Sequence, residues 1–170
     1  GGLGGHYDLD SFLIALSTTP SVRLDLVTRP QLWEAARASD ERLSSPAITA
    51  HHLSSGELTP LYASAHVGVL LVTPTEYRDI AVPVKLFEYL SYGRPVLATR
   101  GTEAGRIIEA NGAGWVVDDD PRAIGELLAR LRGNPEEIAE RAEAARRAAA
   151  ENTWAERART VARVLAGESR

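Results

Sequence analysis

Three observations predict an α/β fold: a doubly wound parallel sheet with helices on both faces and a helical C-terminal tail. Apolar runs of strand length alternate with stretches of helical period along most of the chain. The run 67–72 is continuously apolar, as expected of a strand covered on both faces. After Gly133 the pattern turns to helix only, so 134–170 reads as a helical tail packed outside the sheet. Alternation of this kind winds a parallel sheet, whose ligands sit at the C-terminal ends of its strands.

Each element has a local reason. A first helix starts near Asp8 or Asp10, with Leu9, Phe12, Leu13 and Leu16 on one side. Val22 to Val27 reads as a strand, and Pro30 opens a helix to about Ala38 anchored by Leu32 and Trp33. Ala47 to Ala50 is a short strand. Glu57 to Ala65 is a helix with Leu58, Leu61 and Tyr62 inward, and Val67 to Val72 is the covered strand. A helix over Pro83 to Tyr92 is stopped by Gly93, and Pro95 to Thr99 is the next strand. Thr102 to Ala110 is helical and ends at Asn111-Gly112; Trp115 to Val117 is a strand. Asp120-Pro121 caps a helix to Arg132, and Asn134-Pro135 caps another to about Glu151. Thr153 opens the last, which reaches about Leu165.

Composition excludes several classes. The 170 residues suffice for one domain with a sizeable core. A net charge of −4 argues against nucleic acid as a partner, because phosphate contacts need a basic face. With no Cys there is no disulfide framework, thiol nucleophile or thiolate metal site. No apolar run approaches the ~20 residues that span a bilayer. A cytoplasmic setting fits, and a place at the inner face of a membrane is compatible with it. There is no Met, and the chain opens on Gly1-Gly2-Leu3-Gly4-Gly5 with no strand before it. The expectation is a single domain cut from a longer protein.

The cations point to a site. Of nineteen Lys and Arg residues, Lys85 alone is Lys. A compact ammonium is a point charge suited to phosphate. It follows a long polar loop, Thr73 to Val82, and sits in the first turn of the helix opened by Pro83. There the N–H groups of Val84, Lys85 and Leu86 point toward the strand ends, and the helix terminus carries partial positive charge. Glu88, three residues on, shares that face. A carboxylate repels phosphate but accepts both hydroxyls of a vicinal diol, such as those of ribose. Cation then carboxylate suits a nucleoside diphosphate. The competing reading is a Lys85–Glu88 surface ion pair worth a few tenths of a kcal/mol.

Other candidates reduce to structure. His51 and His52 suggest a metal pair, but neighbours on a strand point to opposite faces. His66 stands at a strand entrance. Asp118-Asp119-Asp120 reads as a helix cap and solvated turn rather than a cation site. No Gly-x-Ser-x-Gly elbow is present. The helix from Glu136 to Arg147 alternates acids with Arg and reads as a solvent face.

Pro83-Val84-Lys85-Leu86-Phe87-Glu88-Tyr89-Leu90, followed by Gly93-Arg94-Pro95-Val96-Leu97-Ala98, resembles the donor-binding signature of GT-B glycosyltransferases, family 4 above all. Leu58 to Val69 resembles the helix and strand before that signature, and Ile107-Ile108-Glu109 with Gly112 to Val117 the segment after it. Thr153-Trp154 resembles the start of the terminal helix, which in that family crosses back to the other domain. The resemblance spans nearly the whole chain.

It implies the C-terminal, Rossmann-like domain of a GT-B enzyme that transfers a hexosyl-type sugar from a nucleoside-diphosphate donor. Retention of configuration and no metal or other cofactor are implied. The acceptor would be held by an N-terminal domain absent here, so the isolated chain would bind nucleotide weakly and not catalyse. Lys85, with the amides of Val84 and Leu86, would face the pyrophosphate. Glu88 would bind the ribose diol, and Lys85 and Glu88 would be the catalytic pair. His51 and Leu53 would lie near the base, and Gly4 and Gly5 in a glycine-rich loop below the phosphates. Two departures stand out. Ile80 occupies the position, eight before Glu88, where many members carry an acid, with Glu76 and Asp79 nearby. Gly2 and Tyr7 stand where many carry Arg and Lys, with His6 as a partial substitute. A non-catalytic nucleotide-binding or interaction module, and a sugar-nucleotide epimerase, are the competing functions on this fold.

Overall fold

The computed structural model describes residues 9–73, 75–76, 81–152 and 154–167. In chain order the elements are α1 (Asp10–Thr18), β1 (Leu24–Val27), α2 (Pro30–Ser39), β2 (Ile48–His51), α3 (Thr59–Ser64), β3 (Gly68–Leu70) and α4 (Val84–Ser91). There follow β4 (Val96–Thr99), α5 (Glu103–Asn111), β5 (Gly114–Val117), α6 (Pro121–Arg132), α7 (Pro135–Glu151) and α8 (Trp154–Leu165). Among the described residues every strand pairing is parallel, as alternation with helices requires. The strands form two ladders: β1 with β2, in register Leu24 to Ile48, and β3–β4–β5 with β4 in the middle. One apolar cluster bridges the ladders through Leu24, Leu71, Leu97 and Trp115.

Burial follows the apolar period. On α6, Ile124, Leu127, Leu128 and Leu131 form a stripe that meets Phe12, Leu13 and Leu16 of α1. On the other side, Leu86 and Leu90 of α4 are fully buried against Val96, Ala98 and Ile108. Truncating either to Ala would cost about 2–5 kcal/mol. Helix α7 joins this second cluster through Ala145 and Ala148, whose small side chains let it pack closely.

The sequence signals at helix ends act as expected. Asp120 accepts from the Ala123 N–H at 2.8 Å, and Asn134 from the Glu137 N–H at 3.2 Å. Gly93 is left-handed (φ 63°), with Gly93 N–H bonded to Leu90 O at 2.8 Å and Arg94 N–H to Tyr89 O at 2.9 Å. This paired pattern closes α4 and is open to Gly without strain.

Four expectations change. Pro83 is the cap of α4 and not its first helical residue, because its ψ of 134° is extended. Strand β3 is shorter than 67–72. Beyond Leu70 the Thr99 hydroxyl takes over, accepting from Val72 N–H at 3.0 Å, and Leu71 and Val72 remain buried. The helix expected over 57–65 is a 3₁₀ turn, Ser55–Glu57, followed by α3. Ser54 and Glu57 cap that turn reciprocally, which favours a break there. Leu32 is 40% exposed, while Trp33 is buried. Adjacent helical residues point about 100° apart, so one faced the core and the other a surface groove.

Candidate functional site

Helix α4 runs antiparallel to β3. The Tyr89 ring lies on Gly68, the first residue of β3: a Cβ there would come within 2.5 Å of Tyr89 Cγ. The Tyr89 hydroxyl donates to Val69 O at 3.4 Å. The end of α4 therefore sits at the start of the strand, and its first turn at the strand's C-terminal end, where sheets of this kind hold ligands.

Lys85 occupies that first turn, half-buried, and makes no hydrogen bond or ion pair among the described residues. Val84 is exposed. Leu86 differs from expectation: its N–H is already bonded to Pro83 O at 3.0 Å, and its side chain is buried. The outward amides of this turn are those of Val84 and Lys85.

Glu88 does not pair with Lys85. Its Oε2 accepts from the Tyr62 hydroxyl at 3.1 Å, across from α3. Tyr62 stacks on Tyr92, with ring centroids 4.6 Å apart, and meets Tyr89 edge-on at 5.7 Å. The Tyr92 hydroxyl and Thr59 Oγ1 are 2.9 Å apart. Burial raises the Tyr62 phenol well above its usual range, and the Glu88 charge adds to this. Tyr62 is thus a proton donor throughout the neutral range, and the Glu88 carboxylate its acceptor.

A groove of about 530 Å³ opens at the C-terminal ends of β1 and β2, lined by Val27, Thr28, Pro30, Leu32, His52 and Leu53 among others. Of the two residues expected near a base, Leu53 lines it and His51 does not. His51 Nε2 lies 2.7 Å from Asp25 Oδ1 on the neighbouring strand. His52 lines the groove instead, its Nδ1 2.9 Å from Thr28 O. The opposite headings of the two rings follow the alternation of a strand. Thr28 Oγ1 is buried without a hydrogen-bond partner among the described residues. The chain then passes from Leu53 through the Ser55–Glu57 turn into α3, which carries Tyr62. One continuous segment links the groove wall to the residue holding Glu88.

Gly4 and Gly5 lie outside the described residues, as do Gly2, His6, Tyr7, Asp79 and Ile80. Sequence reasoning placed Tyr62 in the core and gave it no part in the site. Its spacing from Glu88, 26 residues, carries no periodic signal.

The fold is that of the GT-B glycosyltransferases. The chain matches the crystal structure of WaaG, a glycosyltransferase involved in lipopolysaccharide biosynthesis, with a TM-score of 0.67 and 23% identity. The match covers 91% of this chain and 42% of that one, so the chain spans less than half the length of WaaG. No curated protein sequence matches. The profile of the glycosyl transferase-like family matches residues 11–163, and the chain belongs to that family.

Proposed function

We propose that this chain is the nucleotide-sugar-binding half of a glycosyltransferase whose acceptor site lies on a further domain. Family membership supports glycosyl transfer. The observation that carries the donor site is the separation of Lys85 from Glu88: Lys85 has no partner among the described residues, and Glu88 is held by Tyr62. An ammonium spent on its own carboxylate would be of little use to a phosphate.

In this reading Lys85 and the amides of Val84 and Lys85 hold the donor diphosphate. They stabilise the charge that grows on it as the sugar departs, a preorganised electrostatic role that calls for no metal. Glu88 takes the ribose hydroxyls, and the groove beside Leu53 and His52 takes the base. The sugar is hexosyl-type and is transferred with retention. The setting is cytoplasmic, at or near a membrane face. Among the described residues, no helix is long and apolar enough to cross a membrane.

The test is a thermal-shift titration with UDP, GDP and ADP. A nucleotide at a hundred times its dissociation constant stabilises by about 2.7 kcal/mol. One nucleotide should raise Tm, with the rise lost in Lys85→Ala and Glu88→Ala and unaffected by EDTA. Absence of any shift at millimolar nucleotide, in this chain and in the longer protein, would overturn the reading.

A further inference from the structure

We infer that Tyr62 is a positioning residue for the ribose-binding carboxylate: its hydroxyl fixes Glu88 so that the free oxygen meets a vicinal diol. This rests on the donor-site reading above and adds to it a residue on a different helix. Three observations carry it. The Tyr62 hydroxyl reaches Glu88 Oε2 at 3.1 Å, and Oε1 has no partner among the described residues. The phenol is itself immobilised between Tyr92 and Tyr89, so the bond it offers comes from a fixed direction. A phenol is protonated at neutral pH, and burial raises this one further, so it stands as a donor to the carboxylate.

The geometry also explains why Glu88 stays away from Lys85. A free glutamate has rotamers that fold toward a lysine three residues earlier on a helix. The Tyr62 bond selects against them, which leaves the ammonium open. Tyr62 does not touch the ligand in this arrangement; it acts through Glu88.

The experiment compares ribonucleoside diphosphates (UDP, GDP, ADP) with their 2′-deoxy counterparts, by calorimetric titration on the full-length chain. The wild type should prefer the ribo form by about tenfold, the worth of one hydrogen bond to a charged acceptor. Glu88→Gln should bring the ratio close to one. Tyr62→Phe keeps the stacked ring, removes only the hydroxyl, and should lower the ratio about threefold or more. In the Glu88→Gln background Tyr62→Phe should then have no further effect. Tyr92→Phe removes another hydroxyl of the same cluster, bonded to Thr59, and should leave the ratio at the wild-type value; a merely structural role would make the two phenylalanine variants alike. If Glu88→Gln abolishes discrimination and Tyr62→Phe does not weaken it, the positioning role is overturned and the donor site stands. If no nucleotide binds, or Glu88→Gln leaves the ratio intact, the donor-site reading falls and takes this proposal with it.

Discussion

The indole N–H of Trp115 donates to Glu137 Oε1 at 2.8 Å, tying the outer strand β5 to the first turn of α7. The same carboxylate takes a bond from Arg130, and Asn134 Nδ2 reaches its other oxygen at 3.3 Å. The Trp115 bond, followed by that of Arg130, holds the Glu137 carboxyl below its usual 4.5. A carboxyl depressed in the folded state stabilises above its unfolded pKa, and the gain is lost as pH falls through the folded value. Glu137→Gln should therefore lose about 1–2 kcal/mol at pH 7. The gap from wild type should narrow as pH falls below the usual glutamate value of 4.5. Urea titrations at pH 7, 5 and 3 check this; a pH-independent gap would assign the loss to packing.

Gly114 opens β5 opposite Val96, and a Cβ there would lie 1.9 Å from the Val96 carbonyl oxygen. That neighbour is backbone of the central strand and cannot swing aside. Gly114→Ala should cost at least about 3 kcal/mol, more than ordinary overpacking allows for. Circular dichroism and a thermal melt of the variant decide it. Near-wild-type stability would mean that β5 can shift its register.

Thr102 is buried at the start of α5. Its hydroxyl accepts from Gly105 N–H at 3.0 Å and donates to Thr99 O at 2.8 Å. Thr102→Ala should destabilise by about 1–2 kcal/mol, with Thr102→Ser recovering most of it. Equal losses in the two variants, measured by denaturant unfolding, would shift the weight from the cap to the methyl group.

Lys85 has no partner among the described residues, so its removal should leave folding stability nearly unchanged. Lys85→Ala should weaken nucleoside-diphosphate binding tenfold or more, an effect typical of losing a charged hydrogen bond to phosphate. Lys85→Arg should restore it only partly, because a planar fork does not replace a compact ammonium. Melting curves with and without nucleotide separate the two effects.

The fold was legible where residues act locally. Asp120-Pro121 and Asn134-Pro135 bound their helices as expected, and Gly93 and Gly112 stop theirs in left-handed conformations. Legibility fails where partners are distant in sequence. The Thr99 hydroxyl shortens β3 by bonding Val72, 27 residues away. Strand alternation told that His51 and His52 diverge, yet not which of them meets the groove, since that depends on Asp25 and Thr28 across the ladder. Within α4, the sequence marks Lys85 and Glu88, and the structure adds that a tyrosine from α3 donates a hydrogen bond to Glu88.

The solitary lysine makes the candidate site addressable by chemistry. Within these 170 residues Lys85 carries the one side-chain amine. A nucleoside diphosphate that carries an aldehyde beyond its terminal phosphate keeps the ribose diol and can be trapped on that amine by reduction, with no other side chain to confuse the assignment. A protease that cuts only after lysine would divide the chain once, into two pieces of 85 residues. The same reagent thus marks the site by a mass gain and by the disappearance of that single cut.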